Sequence, residues 1–160
     1  MSNILCLRKT LTSPPRPAPA GDETFLRCYR DGDAVDWLRL QAAALPRSNL
    51  GRDWTAQDFA REFLGQPWWL PTRMLFAATN SSRIIGTATL GERGGTDRSE
   101  ATVHWLLVDP EFQRRGVATL LVSQLERMCW ESGGRSISLE TLSSWEAAVA
   151  FYVAQGFSVA

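Results

Sequence analysis

Lysine is almost absent from this chain, and the positive and negative charges of the chain balance. The 160 residues contain 17 Lys and Arg against 17 Asp and Glu, which gives a formal net charge of zero, and Lys9 is the only lysine. A balanced charge gives no basic surface for nucleic acid or an anionic membrane, so neither partner is expected. Because neither Gly-Lys-Ser/Thr nor Gly-x-Gly-x-x-Gly occurs, a Walker-type or dinucleotide-binding domain is disfavoured.

Cysteines are few and long apolar segments are lacking. Cys6, Cys28 and Cys129 are widely spaced and odd in number, which argues against a disulfide framework and against a metal site. No apolar run reaches membrane-spanning length. Ala18-Pro19-Ala20 superficially resembles a signal-peptidase site, but no apolar core precedes it. We therefore expect a cytoplasmic protein.

The remaining composition is that of one globular domain, with 44% hydrophobic and 21% charged residues. We predict that residues 1–20 form an N-terminal strand-like segment (3–11) and a Pro-rich linker (13–20), followed by a single domain over 21–160. Alternating apolar residues predict the strands of that domain at 24–30, 73–79, 83–90, 100–108, 136–142 and from 157 onward.

Helices are predicted between these strands from their capping residues and their 3.6-residue periodicity. Asp33 begins a helix whose buried face is predicted to carry Val35, Leu38, Ala42 and Leu45. Thr55 with Asp58 begins the next, and another follows Gly116. Ser143 with Glu146 predicts a capping box for the last helix. The order of elements predicts a mixed α/β sheet with helices on its faces.

The most informative segment runs from Val108 to Thr119. A strand whose alternation breaks at Leu106, Leu107 and Val108 leads through a Pro turn into a basic loop, and the loop opens into an amphipathic helix. Unpaired N–H groups and the positive dipole end at a helix start form an anion site. Gly116 lets the backbone approach a ligand closely. The segment predicts a phosphate-binding loop; an ordinary strand–helix turn is the alternative.

A second motif follows downstream, Ala148-x-x-Phe151-Tyr152-x-x-x-Gly156-Phe157. Together with Gln113-Arg114-Arg115-Gly116-Val117-Ala118, it resembles the GNAT superfamily of N-acetyltransferases over about Thr24 to Ala160. The resemblance implies an α/β (α+β) GNAT fold. This is a mixed, mostly antiparallel central sheet flanked by helices on both faces, with a V-shaped splay between the fourth and fifth strands counted from Thr24.

The resemblance also implies acetyl-CoA (coenzyme A) as the cofactor. Its pyrophosphate would lie on the loop and first helical turn, formed by Gln113, Arg114, Arg115, Gly116, Val117, Ala118 and Thr119. The pantetheine arm would pair with a bulged strand end at Leu106, Leu107 and Val108. Members usually carry Asn seven residues before the motif tyrosine, where it touches this arm. Trp145 stands there in this chain.

Transfer to an amine requires a proton acceptor and a proton donor. The resemblance implies that Tyr152 donates to the leaving CoA thiolate. His104, the only histidine, lies four residues before Val108, where some members place a histidine, and its chemistry suits a base near neutral pH. Glu100 is predicted on the same strand face and is a second candidate, through a water chain. Structural roles are the alternatives for all three.

The expected acceptor is a primary amine of a small molecule or a peptide. Adjacent tryptophans could wall a pocket, with an acidic side chain meeting the charge of the amine. The candidates are Arg47, Asn49, Arg52, Asp53, Trp54, Asp58, Trp68 and Trp69; the alternative is that these tryptophans pack as core. The functional alternative to a direct-attack N-acetyltransferase is a non-catalytic acyl-CoA-binding or sensing module.

The family sheet normally continues through one more strand after the last helix, whereas this sequence ends at Ala160. An open sheet edge invites pairing. We expect that edge to be covered by residues 3–11 or by a partner subunit in a homodimer.

Overall fold

The computed structural model describes residues 3–19, 21, 23–45, 51–94 and 100–160. Its strands are β1 (Ile4–Thr10), β2 (Thr24–Cys28), β3 (Met74–Thr79), β4 (Ile84–Arg93), β5 (Glu100–Val108), β6 (Ser136–Leu142) and β7 (Ser158–Val159). Its helices are α1 (Ala34–Ala44), α2 (Ala56–Phe59, continued by a π-helical turn over Ala60–Leu64), α3 (Val117–Glu131) and α4 (Glu146–Ala154). Short 3-10 turns lie at Pro71–Arg73 and Pro110–Phe112.

All the strands form one sheet in the order β2-β3-β4-β5-β6-β1-β7. Neighbouring strands are antiparallel except β5 and β6, which are parallel. This is the mixed, mostly antiparallel sheet that the sequence predicts. The helix α3 connects the parallel pair.

Helices cover both faces of the sheet. Successive side chains of a strand point to opposite faces, so each strand can contribute to two separate apolar cores. On β3, Leu75 and Ala77 belong to one apolar core, whereas Met74, Phe76 and Ala78 belong to the other. The first core also contains apolar residues of α3 and α4, and the second contains those of α1 and α2. We call these sides the α3/α4 face and the α1/α2 face.

A glycine brings α3 close to the sheet. A Cβ atom added at Gly86 would lie 2.9 Å from Val117 Cγ1 and 3.1 Å from Leu121 Cδ1. Such distances leave too little room for a Cβ atom, so a larger residue at position 86 would force these side chains to shift. Gly86 thus fixes the first turn of α3 beside the end of β5, with which it is in register at Val108.

The N-terminal strand covers the edge that the sequence leaves open. β1 pairs antiparallel with β6 from Ile4↔Leu142 to Thr10↔Ser136, and β7 pairs with the outer side of β1. The segment 3–11 is therefore part of the sheet of the domain that follows it. Because β1 fills this edge, the open-edge reason for expecting a homodimer no longer applies.

Two local predictions are wrong. The buried side chains of α1 are Trp37, Leu40 and Gln41, whereas Val35, on the predicted face, is 74% exposed. The last helix begins at Glu146 with Trp145 as its N-cap and has no side-chain cap. The Ser143 hydroxyl instead accepts a hydrogen bond from the Asn3 amide at 2.9 Å, because β1 extends to this point.

Candidate active site

An open cleft lies where β5 and β6 diverge. The two strands are paired only at Ala101↔Ile137 and Thr102↔Ser138, and beyond these residues an open cleft of about 1100 Å³ separates them. This is the predicted splay. Sequence-predicted residues that line it are His104, Leu106, Leu107, Val108, Gln113, Arg114, Ala118, Trp145 and Tyr152.

A bulge on the other side of β5 accompanies the splay. Thr87 of β4 pairs with Leu107, but Thr89 pairs with His104, so Trp105 and Leu106 together oppose one residue of β4. Trp105 has a φ of +53°, a left-handed conformation that is rare for a large side chain. The bulge begins one residue earlier than the Leu106–Val108 segment predicted to carry it. On its other edge, β5 beyond Thr102 has no pairing with β6 within the described residues and borders the cleft.

The predicted phosphate-binding loop enters α3 at the end of this cleft. Arg114 and Gly116 both have left-handed φ values, +62° and +82°. A Cβ atom at Gly116 would meet nothing within 4 Å, so the backbone there faces open space. The amides of the first turn have no partner within the helix, and the dipole of the 15-residue helix adds positive potential.

The side chains of this loop differ in their surroundings. Arg114 lines the cleft, whereas the guanidinium of Arg115 lies over the ring of Phe112, 5.2 Å from its centroid. Val117 is 4% exposed and belongs to the core. The Thr119 hydroxyl accepts a hydrogen bond from Gln155 Nε2 at 3.3 Å. Val117 can therefore serve an anion only through its backbone amide.

Tyr152 reaches the cleft from α4. It is 8% exposed and its ring packs against Phe151 and Phe157. Burial raises the pKa of its phenol, so the group stays protonated at neutral pH. Trp145 also lines the cleft, and its carbonyl accepts the first hydrogen bond of α4 from Val149 at 3.0 Å.

His104 lies on the α1/α2 face beside a carboxylate that the sequence does not single out. Its Nε2 is 2.7 Å from Glu62 Oε1, and the same oxygen accepts a hydrogen bond from Trp105 Nε1 at 2.9 Å. The pKa of Glu62 is lowered, and the main cause is its hydrogen bond with His104. Partial burial acts in the opposite direction but is the smaller effect. Glu62 lines the cleft with His104. A single Glu between Arg61 and Phe63 carries no sequence signal for this contact.

Glu100 is not brought to this site. Arg8 Nε and Nη2 donate to its two carboxylate oxygens at 2.6 and 3.0 Å. Hydrogen bonding to Arg8 is the main cause that lowers the pKa of Glu100. Glu100 begins β5 at the paired end of the strand and does not line the cleft, so the structure does not bring it together with His104 and Tyr152.

The predicted acceptor residues mostly pack against one another. Trp54 contacts Trp105 and a buried tryptophan of α1, and Trp69 contacts Tyr29. The ring of Trp68 lies 5.9 Å from that of His104, which lines the cleft. These contacts favour the packing interpretation of the tryptophans.

The predicted acidic residues Asp53 and Asp58 are not among the residues that line the cleft. Asp53 is exposed. Asp58 caps α2 and pairs with Arg52 and Arg61, so its charge is already neutralised. Arg47 and Asn49 lie outside the described residues.

Comparison with known proteins gives the family. The family model described as "Acetyltransferase (GNAT) family" matches residues 22–157. The chain belongs to the GNAT acetyltransferase family. The predicted GNAT fold is confirmed by a GCN5-related N-acetyltransferase from Sphaerobacter thermophilus, with a TM-score of 0.80 and 21% identity over 98% of this chain and 48% of that one.

Two further similar proteins are named as acetyltransferases. A mycothiol acetyltransferase of Propionibacterium freudenreichii is 29% identical over 147 residues, which is 91% of this chain and 46% of that protein. An aminoglycoside N-acetyltransferase solved in complex with CoA has a TM-score of 0.64 and 20% identity, over 88% of this chain and 91% of that one. This GNAT chain thus spans about half the length of the mycothiol acetyltransferase that it matches.

Two further findings concern the described part of the chain. None of its helices combines the length and the apolar character that crossing a membrane requires. Within the same residues, no group of three or more His, Cys, Asp or Glu side chains is arranged to hold a metal ion.

Proposed function

We propose that this domain, residues 21–160 with β1 in its sheet, is an acetyl-CoA-dependent N-acetyltransferase. It would transfer the acetyl group to a primary amine by direct attack in a ternary complex. The observation that carries the proposal is the convergence on one cleft of an anion-binding helix start, a bulged strand end, a buried tyrosine and a histidine. When bound, acetyl-CoA supplies the acetyl group as an activated thioester.

The residues at the start of α3 fit the diphosphate of the donor. The open backbone at Gly116 admits an oxyanion to the amides of residues 116–119. Arg114 lines the same cleft, where its guanidinium would pair with a phosphate. The unpaired edge of β5 near Val108 offers backbone groups to the pantetheine amides, and an N–H there would polarise the thioester carbonyl.

Tyr152 is the proposed proton donor to the leaving thiolate. A phenol is protonated at neutral pH, and the buried surroundings of Tyr152 strengthen this preference. His104 is the proposed proton acceptor for the attacking amine, because it is the titratable side chain of the bulged strand that faces the cleft.

The acceptor proposed is a small-molecule amine, in line with the small molecules in the names of the mycothiol and aminoglycoside acetyltransferases. The proposal also includes a cytoplasmic site of action. The three cysteines are free thiols, as is usual in a reducing compartment.

The test is a thiol-release assay with acetyl-CoA over polyamines, arylalkylamines, aminoglycosides, amino sugars, amino acids and peptide N-termini, with CoA affinity measured by calorimetry. We expect CoA to bind and at least one small-molecule amine to release CoA thiol. Turnover of peptides alone would overturn the acceptor class. Binding without turnover of any amine would favour the acyl-CoA-binding module, for which Trp145 in place of Asn is the motivating residue.

A further inference from the structure

Two backbone irregularities meet at one carboxylate, that of Glu62. The first is the left-handed Trp105 in β5. The second is the π-helical turn of α2, where the Gly65 amide donates to the Ala60 carbonyl at 2.8 Å, five residues back. Both kinds of irregularity are costly and cluster at functional sites.

The bulge changes which side chains share a face of β5. Val103 belongs to the α3/α4 core, so His104 faces the α1/α2 side. Regular alternation would point Trp105 to the α3/α4 face, but Trp105 also packs against the α1/α2 core. The bulge therefore places two consecutive side chains on one face, where both contact Glu62 Oε1. Straight alternation does not allow this arrangement.

The π-helical turn supplies the other partner. Phe63 within the turn is fully buried and its ring contacts His104, whereas the Glu62 side chain is 31% exposed. The carboxylate thus lies at the boundary between the aromatic core and the cleft. The other charged groups lining that cleft on this side, Arg93 and Glu140, pair with each other.

We propose that Glu62 is a positioning residue that orients His104 as the proton acceptor of the transfer reaction. This inference rests on the proposed function. An ionised carboxylate only accepts hydrogen bonds, so His104 Nε2 carries the proton and Nδ1 holds the free lone pair. Trp105 Nε1 fixes Glu62 Oε1 from a second direction.

The proton balance of the step follows. As the amine nitrogen forms its bond to the acetyl carbon and the carbon–sulfur bond breaks, His104 Nδ1 takes the amine proton. Tyr152 would donate its phenol proton to the leaving thiolate, and the proton held on His104 would return to the phenolate through solvent, so that the enzyme gains and loses no net proton. Glu62 stays a carboxylate throughout and stabilises the imidazolium that forms, as the ionised aspartate does for the histidine of a catalytic triad.

A double-mutant cycle tests this role, because a positioning residue acts only through its partner. Glu62→Gln keeps the shape and removes the charge. We expect kcat to fall about tenfold or more, with the roughly 10²–10⁴-fold that a positioned base contributes as the upper limit. The acidic limb of the pH–rate profile should move to lower pH, and CoA affinity should not change. In a His104→Ala background, the same substitution should cost nothing further.

Glu100→Gln is the matched control. It removes a carboxylate that is paired with Arg8 and lies outside the cleft, on the same strand as His104. It should leave kcat and the acidic limb of the pH–rate profile unchanged. An equal loss from Glu62→Gln in both backgrounds, or an unmoved pH limb, would overturn the inference. If the wild type turns over no amine, the proposed function fails instead. The inference is then decided by nitrogen-15 NMR of the single histidine: a proton on Nε2 supports it, and a proton on Nδ1 overturns it.

Discussion

Removing the ammonium of Lys9 should destabilise the domain strongly, although Lys9 lies outside the region that resembles the family. Its Nζ is 2.5 Å from Glu126 Oε1 and donates to the Gln155 carbonyl at 2.8 Å. The pair joins β1 to α3 and to the end of α4. Glu126 is 4% exposed, so Lys9→Met would leave a buried carboxylate without its partner.

The expected size follows from that burial. Breaking a buried ion pair by removing one member costs about 3–5 kcal/mol. The Lys9 side chain is 27% exposed, so water reaches the pair and we expect a loss of about 3 kcal/mol, at the lower end of that range. With a urea dependence of roughly 2 kcal/mol per molar, the unfolding midpoint should fall by about 1.5 M.

Urea denaturation followed by tryptophan fluorescence measures this change. Lys9→Met combined with Glu126→Leu should recover most of the loss, because an apolar pair leaves no unpaired charge. Arg8→Met is the matched control on the opposite side of β1, where the pair with Glu100 is exposed; its effect should be much smaller. Equal midpoints for Lys9→Met and Arg8→Met would refute the docking of β1 against α3.

Three further predictions concern the cleft. Tyr152→Phe should lower kcat much more than CoA affinity, and unchanged turnover would remove Tyr152 as the acid. Gly116→Asp should reduce CoA affinity at least tenfold by calorimetry, because it adds negative charge beside the diphosphate; Gly133→Asp, at the other end of α3 and also left-handed, should not. His104→Ala should flatten the pH–rate profile near neutrality, and a profile identical to that of the wild type would return His104 to a structural role.

The fold follows from the sequence where local patterns decide it. The cleft-forming segments have clear signals, since the strand before Asp109 loses its alternation and Gly116 precedes a strongly periodic helix. The second motif around Tyr152 places the last helix at the same cleft. These signals depend on neighbours close in sequence, and the family comparison agrees with them.

The sequence does not predict the role of a residue when that role depends on a partner distant in the chain. Glu100 has the residue type and strand face expected of a base, but its partner Arg8 comes from β1, 92 residues away. Glu62 carries no signal because its role depends on a π-helical turn and on the conformation of Trp105. Neither is encoded by a pattern in hydrophobicity.

The measurement that tests the account most directly is a crystal structure with bound CoA. The account predicts the diphosphate about 3 Å from the amides at the start of α3, with the sulfur directed toward the Tyr152 hydroxyl. A diphosphate bound away from Gly116, or a sulfur on the far side of the sheet from Tyr152, would contradict it.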